Sequence, residues 1–288
     1  MDDPQAKLDR ANENLATLTR LIGEFARETY RIDAEPDFWS EPFPQAQGNV
    51  VIIWAEAKEQ PPSTLWGPII GDIVHGFRSA LDHLIWGLSV EHQATKGQTP
   101  PAGRIQHDDP WRKIWFPICR SCGAWKNAVK EQFWAIDPAL LALLQPLQPY
   151  ATGKNAPDRE PLAVLQELWN IDKHRHLHVV NATVELRDVL SVNPFEGMPN
   201  PSGIDLTFDF EIVSKRAPGP LVGRAEVGRA RYTPRPGGLI GVSHPQMHMN
   251  PRLFIDVAFD QGYPAYGDRV LHTLSQISQT VGAIVSAF

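Results

Sequence analysis

Residues 71 to 86 read Gly-Asp-Ile-Val-His-Gly-Phe-Arg-Ser-Ala-Leu-Asp-His-Leu-Ile-Trp, and this stretch decides how the chain folds. Its apolar residues recur every three to four positions, which predicts an amphipathic helix from about Trp66 to about His92. At about 100° per residue, the apolar side chains fill one arc of this helix and the polar ones fill the other. The polar arc consists of Asp72, His75, Arg78, Ser79, Asp82, His83 and Trp86.

The composition of this polar arc favours a functional site over a solvated helix face. Faces that meet water are usually rich in Lys, Glu and Gln, whose long side chains keep their freedom. This arc has none of these residues and carries Asp, His, Arg and Ser at spacings of three, four and seven. The alternatives are a structural polar network or an interface.

A second polar cluster lies in the segment from Asn170 to His178. On a helical projection, Asp172 and His176 fall in the apolar stripe, where a buried carboxylate or imidazole needs a partner. We expect Asp172 to form a direct or near-direct charge pair with Arg78, and His176 to meet Asp72 or Asp82. We therefore expect one connected network, mostly out of bulk solvent, of Asp72, His75, Arg78, Asp82 and Asp172.

The rest of the chain predicts an α+β fold, a helical bundle packed with a mainly antiparallel sheet. Its 288 residues are 42% hydrophobic, which suffices for a folded core. Helices are predicted over 6–27, 124–133, 138–145 and 161–176, and a hairpin over 31–34 and 49–58. Alternating strands follow over 178–192, 203–215, 221–232 and 253–259. We predict a single unit over 1–288: helix-rich 1–176, β-rich 177–260, and a C-terminal helix 264–287 that returns to the bundle.

Charge and motifs narrow the class of protein. The net charge of −6 and pI of about 5.9 argue against a surface dedicated to coating DNA. The acidic start and the short apolar runs predict a cytoplasmic protein with no signal peptide and no membrane contact. There is no phosphate-binding P-loop, dinucleotide fingerprint or Gly-x-Ser-x-Gly elbow. Cys119 and Cys122 are predicted to be neither disulfide-bonded nor metal-bound, since further soft ligands are lacking.

Four motifs together resemble a widespread bacterial family of uncharacterised proteins. They are Gly-Asp-x-Val-His-x-x-Arg-Ser-Ala-Leu-Asp-His at 71–83, Phe-Pro-Ile at 116–118, Leu-Gln-Pro-Tyr at 147–150 and Asn-Ile-Asp-Lys-His-Arg at 170–175. The resemblance covers most of the chain and implies no established activity.

A more distant similarity is to HEPN domains, helical bundles that often act as metal-independent ribonucleases. In them an arginine is followed after four to six residues by a histidine, as Arg78 is followed by His83 here. Those families commonly have Asn, His or Asp directly after the arginine, where this chain has Ser79. The resemblance implies that His83 is a general base on a ribose 2′-hydroxyl and that Arg78 stabilises the phosphate.

Three hypotheses follow from these segments. The first is the HEPN-like ribonuclease, the second a bundle enzyme using Fe, Mn or Zn held by Asp72, His75, Asp172 and His176, and the third a module that binds a peptide or small molecule. We rank the ribonuclease first, with no metal ligand assigned and the cofactor left open. The partners considered are RNA, a small-molecule substrate and a second copy of the chain.

The candidate catalytic residues are Arg78, His83, His75, Asp82, Asp172 and His176. The candidate substrate-binding residues are Asp72, Ser79, Trp86, Asn170, Lys173, His174 and Arg175.

Overall fold

The fold was analysed in a computed structural model of the chain. It describes residues 3–36, 49–101, 105, 109–174, 177, 179–190, 208–215, 221, 223–234, 250–260 and 268–288. The protein is α+β and mostly helical, as the sequence predicts. The helices are α1 (Pro4–Thr29), α2 (Ser63–Ala94), α3 (Cys122–Glu131), α4 (Pro138–Leu144), α5 (Pro149–Thr152), α6 (Pro161–His174) and α7 (Val270–Ala287). The strands are β1 (Tyr30–Pro36), β2 (Asn49–Ala57), β3 (Val179–Leu190), β4 (Phe208–Lys215), β5 (Gly223–Pro234) and β6 (Asn250–Phe259).

The chain divides into two compact units. The helical unit comprises Met1–Leu21, Pro62–Val179 and Phe259–Phe288. The strand unit comprises Ile22–Pro61 and Val180–Ala258. The α7 helix belongs to the helical unit and begins at Val270, after Arg269 in an extended conformation. The expected first residue, 264, lies outside the described residues, and the expected return of this helix to the bundle stays a prediction. The prediction that the whole chain is a single unit stays a prediction.

The helical unit is built around α2, which packs against both α6 and α7. Its apolar arc is buried as predicted, with Ile73, Val74, Phe77 and Leu81 all at 0% exposure. The α1 helix approaches α2 closely at Gly76, where an added Cβ would lie 2.8 Å from the Cβ of Ala11. A glycine is required there because any larger residue would push the two helices apart. The core therefore fixes which side of α2 carries the polar arc.

The strand unit contains an antiparallel sheet in the order β1-β2-β5-β4 and a pair formed by β3 and β6. The predicted hairpin is confirmed, since β1 pairs with β2 from Tyr30 opposite Ala57 to Pro36 opposite Val51. Alternate residues of β2 are buried, with Ile53 and Ala55 at 0% exposure. Period-two burial of this kind is what one covered sheet face produces.

No helix within the described residues is both long enough and apolar enough to cross a lipid bilayer.

Candidate functional site

The centre of the candidate site is an ion pair between Arg78 and Asp82 on α2. The two residues are four apart, so their side chains lie on the same face of the helix. The Arg78 Nη2 atom lies 3.0 Å from Asp82 Oδ1. The side chain of Arg78 is only 4% exposed and that of Asp82 is 29% exposed. The pair is therefore largely removed from water, with one edge of the carboxylate still accessible.

The backbone of Phe116 closes this ion pair on both sides. Arg78 Nη2 donates to the Phe116 carbonyl oxygen at 2.6 Å. The Phe116 amide in turn donates to Asp82 Oδ1 at 2.9 Å. Hydrogen bonds to charged partners are the strong ones, and here they satisfy both polar groups of a fully buried residue. The Phe-Pro-Ile segment is thus held on the polar arc of α2.

Sequence reasoning did not foresee this role of Phe116. Because its backbone and not its side chain makes the contacts, no residue type at position 116 signals them. The available signal was the occurrence of Phe-Pro-Ile beside Arg-Ser-Ala-Leu-Asp in the same motif set.

Burial shifts the protonation equilibria of both partners. Desolvation raises the pKa of Asp82 and outweighs the lowering effects of Arg78, the Phe116 amide and His83. Desolvation also lowers the pKa of the Arg78 guanidinium, against the opposing attraction of Asp82. Arginine starts so far above neutrality that Arg78 remains charged at pH 7. His83 is half-buried and close enough for its charge to act on Asp82.

Trp169, on α6, brings a second helix to the ion pair. Its ring centre lies 5.2 Å from Arg78 Cζ and 2.9 Å from Lys173 Nζ. Cations are attracted to the face of an indole ring, so Trp169 holds two positive charges near each other. Their mutual repulsion is felt by Lys173, whose pKa is lowered first by desolvation and then by Arg78, while Asp82 acts in the opposite direction.

Several donors around Trp169 lack an acceptor among the described residues. They are Arg78 Nε, Arg78 Nη1 and Trp169 Nε1, all of them buried. A buried donor left without an acceptor costs about 1–3 kcal/mol, so each such group in a folded protein needs an explanation.

Asp172 does not form the expected direct charge pair with Arg78. Arg78 Nε and Nη1 make no hydrogen bond to any described residue, and Nη2 is used by Asp82 and Phe116. The half-buried side chain of Asp172 instead packs against Gly71, where an added Cβ would overlap its carboxylate. The expectation failed because a carboxylate one turn away on the same helix reaches the guanidinium first. The two motif segments nevertheless meet, at Gly71 and Asp172.

The upstream end of the polar arc also departs from the prediction. Asp72 and His75 are exposed, so the expected buried network of five residues is wrong for these two. The cover provided by Phe116 and Trp169 lies at the level of Arg78 and Asp82 and leaves Asp72 and His75 in water.

Other predicted site residues lie at the rim or outside the described part of the chain. Ser79 and Trp86 are half-buried. The Trp86 and Trp111 rings form a T-shaped pair with their centres 5.4 Å apart. Asn170 and His174 are exposed on α6. Arg175 and His176 lie outside the described residues.

The described residues contain no group of three or more His, Cys, Asp or Glu side chains placed to hold a metal ion. Cys119 and Cys122 are both free thiols, the first buried and the second exposed. Burial raises the pKa of Cys119 to about 11, so its thiol is protonated at neutral pH.

Comparison of the chain with protein-family models, with curated proteins and with solved structures gave no match. Its function is therefore inferred from the chemistry of this site.

Proposed function

We propose that the protein is a HEPN-like, metal-independent ribonuclease whose working residues are Arg78, Asp82 and His83 on α2. The observation that carries the proposal is the anchored Asp82 carboxylate, which lies between the arginine and the histidine of the motif. It is bonded to Arg78 at 3.0 Å and to the Phe116 amide at 2.9 Å, and it interacts with His83. A general base works best when a second group orients it.

RNA suits these residues because its own 2′-hydroxyl can act as the nucleophile. In the proposed reaction, His83 takes the 2′-hydroxyl proton and the 2′-oxygen forms a bond to the neighbouring phosphorus. The bond from phosphorus to the 5′-oxygen breaks, and the leaving oxygen takes a proton from water. Protonated His83 returns its proton to the hydroxide so formed. The products are a 2′,3′-cyclic phosphate and a 5′-hydroxyl.

The burial of Arg78 defines its part in this scheme. One of its nitrogens orients Asp82 and Phe116, while Nε and Nη1 keep donors for negative charge that builds on a phosphate oxygen. A lysine could not do both, because it lacks the planar arrangement of donors. A cytoplasmic location, as the sequence predicts, would give the enzyme access to RNA.

The test is cleavage of a fluorescent single-stranded RNA by the full chain in EDTA. We expect cleavage by the wild type, a loss of about 100-fold or more in His83→Ala, and a marked loss in Arg78→Lys. His272→Ala is the matched control, since His272 is an exposed histidine on α7 and lies outside the candidate motifs. A DNA oligonucleotide of the same sequence should stay intact because it lacks the nucleophile.

Two results would contradict the proposal: equal cleavage by His83→Ala and wild type, or no cleavage of any RNA by folded wild type. In the second case the Arg78–Asp82 pair would serve to hold the Phe116 segment on α2, as the binding-module hypothesis requires.

A further inference from the structure

The unexplained donors beside Trp169 point to a ligand. The nitrogens in question are Arg78 Nε, Arg78 Nη1 and Trp169 Nε1, which are buried and find no acceptor among the described residues. They belong to side chains whose guanidinium carbon and ring centre are 5.2 Å apart. Together they carry more N–H bonds than a single water accepts, which is about two. A group with several acceptor oxygens matches them better.

The charged groups around these donors are two cations and two carboxylates, so it is the unpartnered N–H groups that favour an oxygen-rich anion. Arg78 is more than nine-tenths buried, with Asp82 as its counter-charge. Lys173 places its ammonium 2.9 Å from the centre of the Trp169 ring and is exposed to solvent on its other side. Asp172 is the further carboxylate nearby, packed against Gly71 with polar contacts of its own. The net charge is near balance, so we expect modest affinity for a free ion.

We propose that Arg78, Trp169 and Lys173 form a subsite for a phosphate oxyanion, with Lys173 as its solvent-facing member. Lys173 and Trp169 are then binding residues that the arginine–histidine spacing of α2 does not include. If the protein is the proposed ribonuclease, this subsite holds a phosphodiester of the RNA chain. The identity of the substrate rests on that proposed function. Oxyanion binding itself requires no cleavage and is measured separately.

The indole N–H of Trp169 is the natural probe. In the ¹⁵N-labelled full chain, its resonance is assigned by comparison with Trp169→Phe. Inorganic phosphate should shift that resonance saturably, with a Kd on the order of 1 mM. Sodium chloride at matched ionic strength should not, and acetate tests whether any carboxylate suffices. A uridine 3′-monophosphate titration shows whether a nucleotide phosphate is preferred to the free ion.

Substitutions of two exposed lysines, one at the subsite and one outside it, test the role of Lys173. Lys173→Met should weaken phosphate binding roughly two- to five-fold, as expected for one solvent-exposed charge. Lys126→Met, on the exposed side of α3, should leave it unchanged. In the cleavage assay, Lys173→Met should raise KM with kcat little altered, because the residue binds the chain and does not transfer protons.

The outcomes separate this inference from the proposed function. A shift of the Trp169 resonance by chloride equal to that by phosphate, or none by either, overturns the subsite. Saturable phosphate binding without RNA cleavage supports the subsite and removes the ribonuclease. RNA cleavage with an unchanged KM in Lys173→Met and no phosphate-induced shift supports the ribonuclease and overturns the subsite.

Discussion

The two ends of the polar arc of α2 each carry an aspartate and a histidine but differ in their exposure to water. Asp72 and His75 stand in water. Arg78 and Asp82, one to two turns further along, are covered by the Phe116 backbone and the Trp169 ring. The difference arises from the partner segments and not from α2 itself. Polar composition therefore identifies a helix face with a special role, and the covering segments decide which part of that face performs it.

The covered end of the polar arc is the better candidate for catalysis or binding. Exposed side chains such as Asp72 and His75 interact only weakly with nearby charges, because water and salt screen them. At the covered end, hydrogen bonds orient the Asp82 carboxylate and low polarity strengthens its interactions. Preorganised groups of this kind are what a catalytic or binding site requires.

The largest expected effect is the difference in unfolding free energy between Asp82→Ala and Asp72→Ala. Removing Asp82 leaves the buried Arg78 guanidinium without its counter-charge, which should lower the free energy of unfolding by about 3–5 kcal/mol. Asp72→Ala removes an exposed side chain and should change it by no more than about 0.5 kcal/mol. Urea denaturation followed by circular dichroism measures both. Equal effects from the two variants would mean that the ends of the arc do not differ.

The meeting of α2 and α6 is tested next by Gly71→Ala. A methyl group there overlaps the Asp172 carboxylate, which is the movable end of a side chain, so overpacking should destabilise the protein by no more than about 1 kcal/mol. Gly23→Ala is the control, because nothing lies within 4 Å of an added Cβ at that helical position. That variant should be stabilised by about 0.5–1 kcal/mol. A stabilisation of Gly71→Ala as large as that of Gly23→Ala would show that Asp172 does not pack there.

The elements of the fold were largely predictable because period and turn chemistry are local properties. The apolar repeat of α2 predicted its buried face, and Asp137 before Pro138 predicted the start of α4, where the Asp137 side chain accepts the amide of Ala139. The strands followed from alternation between proline and glycine turns. Boundaries moved by a few residues where helix ends fray.

The site was predictable only in part, because burial depends on contacts distant in sequence. The four-residue spacing of Arg78 and Asp82 was visible in α2. The Phe116 backbone, 38 residues from Arg78 along the chain, was not, since a backbone group carries no residue signature. The expected pairing of Asp172 with Arg78 was wrong because Asp82, one turn away on the same helix, is the ion-pair partner of Arg78.

The pH dependence of stability also distinguishes the two ends of the polar arc. The pKa of Asp82 is raised on folding, so the folded state binds more protons than the unfolded state between the ordinary value, about 4, and the raised one. Stability due to Asp82 therefore falls as pH rises through that window, then levels off. The difference in unfolding free energy between wild type and Asp82→Asn should decline as pH rises from about 4. The matched difference for Asp72→Asn should stay flat, and a rise with pH for Asp82 would contradict the assigned direction.

The smallest expected effect concerns the rim of the covered end, where Lys173 lies over Trp169. Lys173→Met keeps most of the apolar stem and removes the charge, so it isolates the cation–π attraction, worth about 0.5–1 kcal/mol at an exposed position. The loss of repulsion from Arg78 acts in the opposite direction, which places the net destabilisation at or below about 0.5 kcal/mol. Urea denaturation beside Lys126→Met measures it. A loss as large as that of Asp82→Ala would mean that Lys173 belongs to the buried cluster and not to its solvent-facing edge.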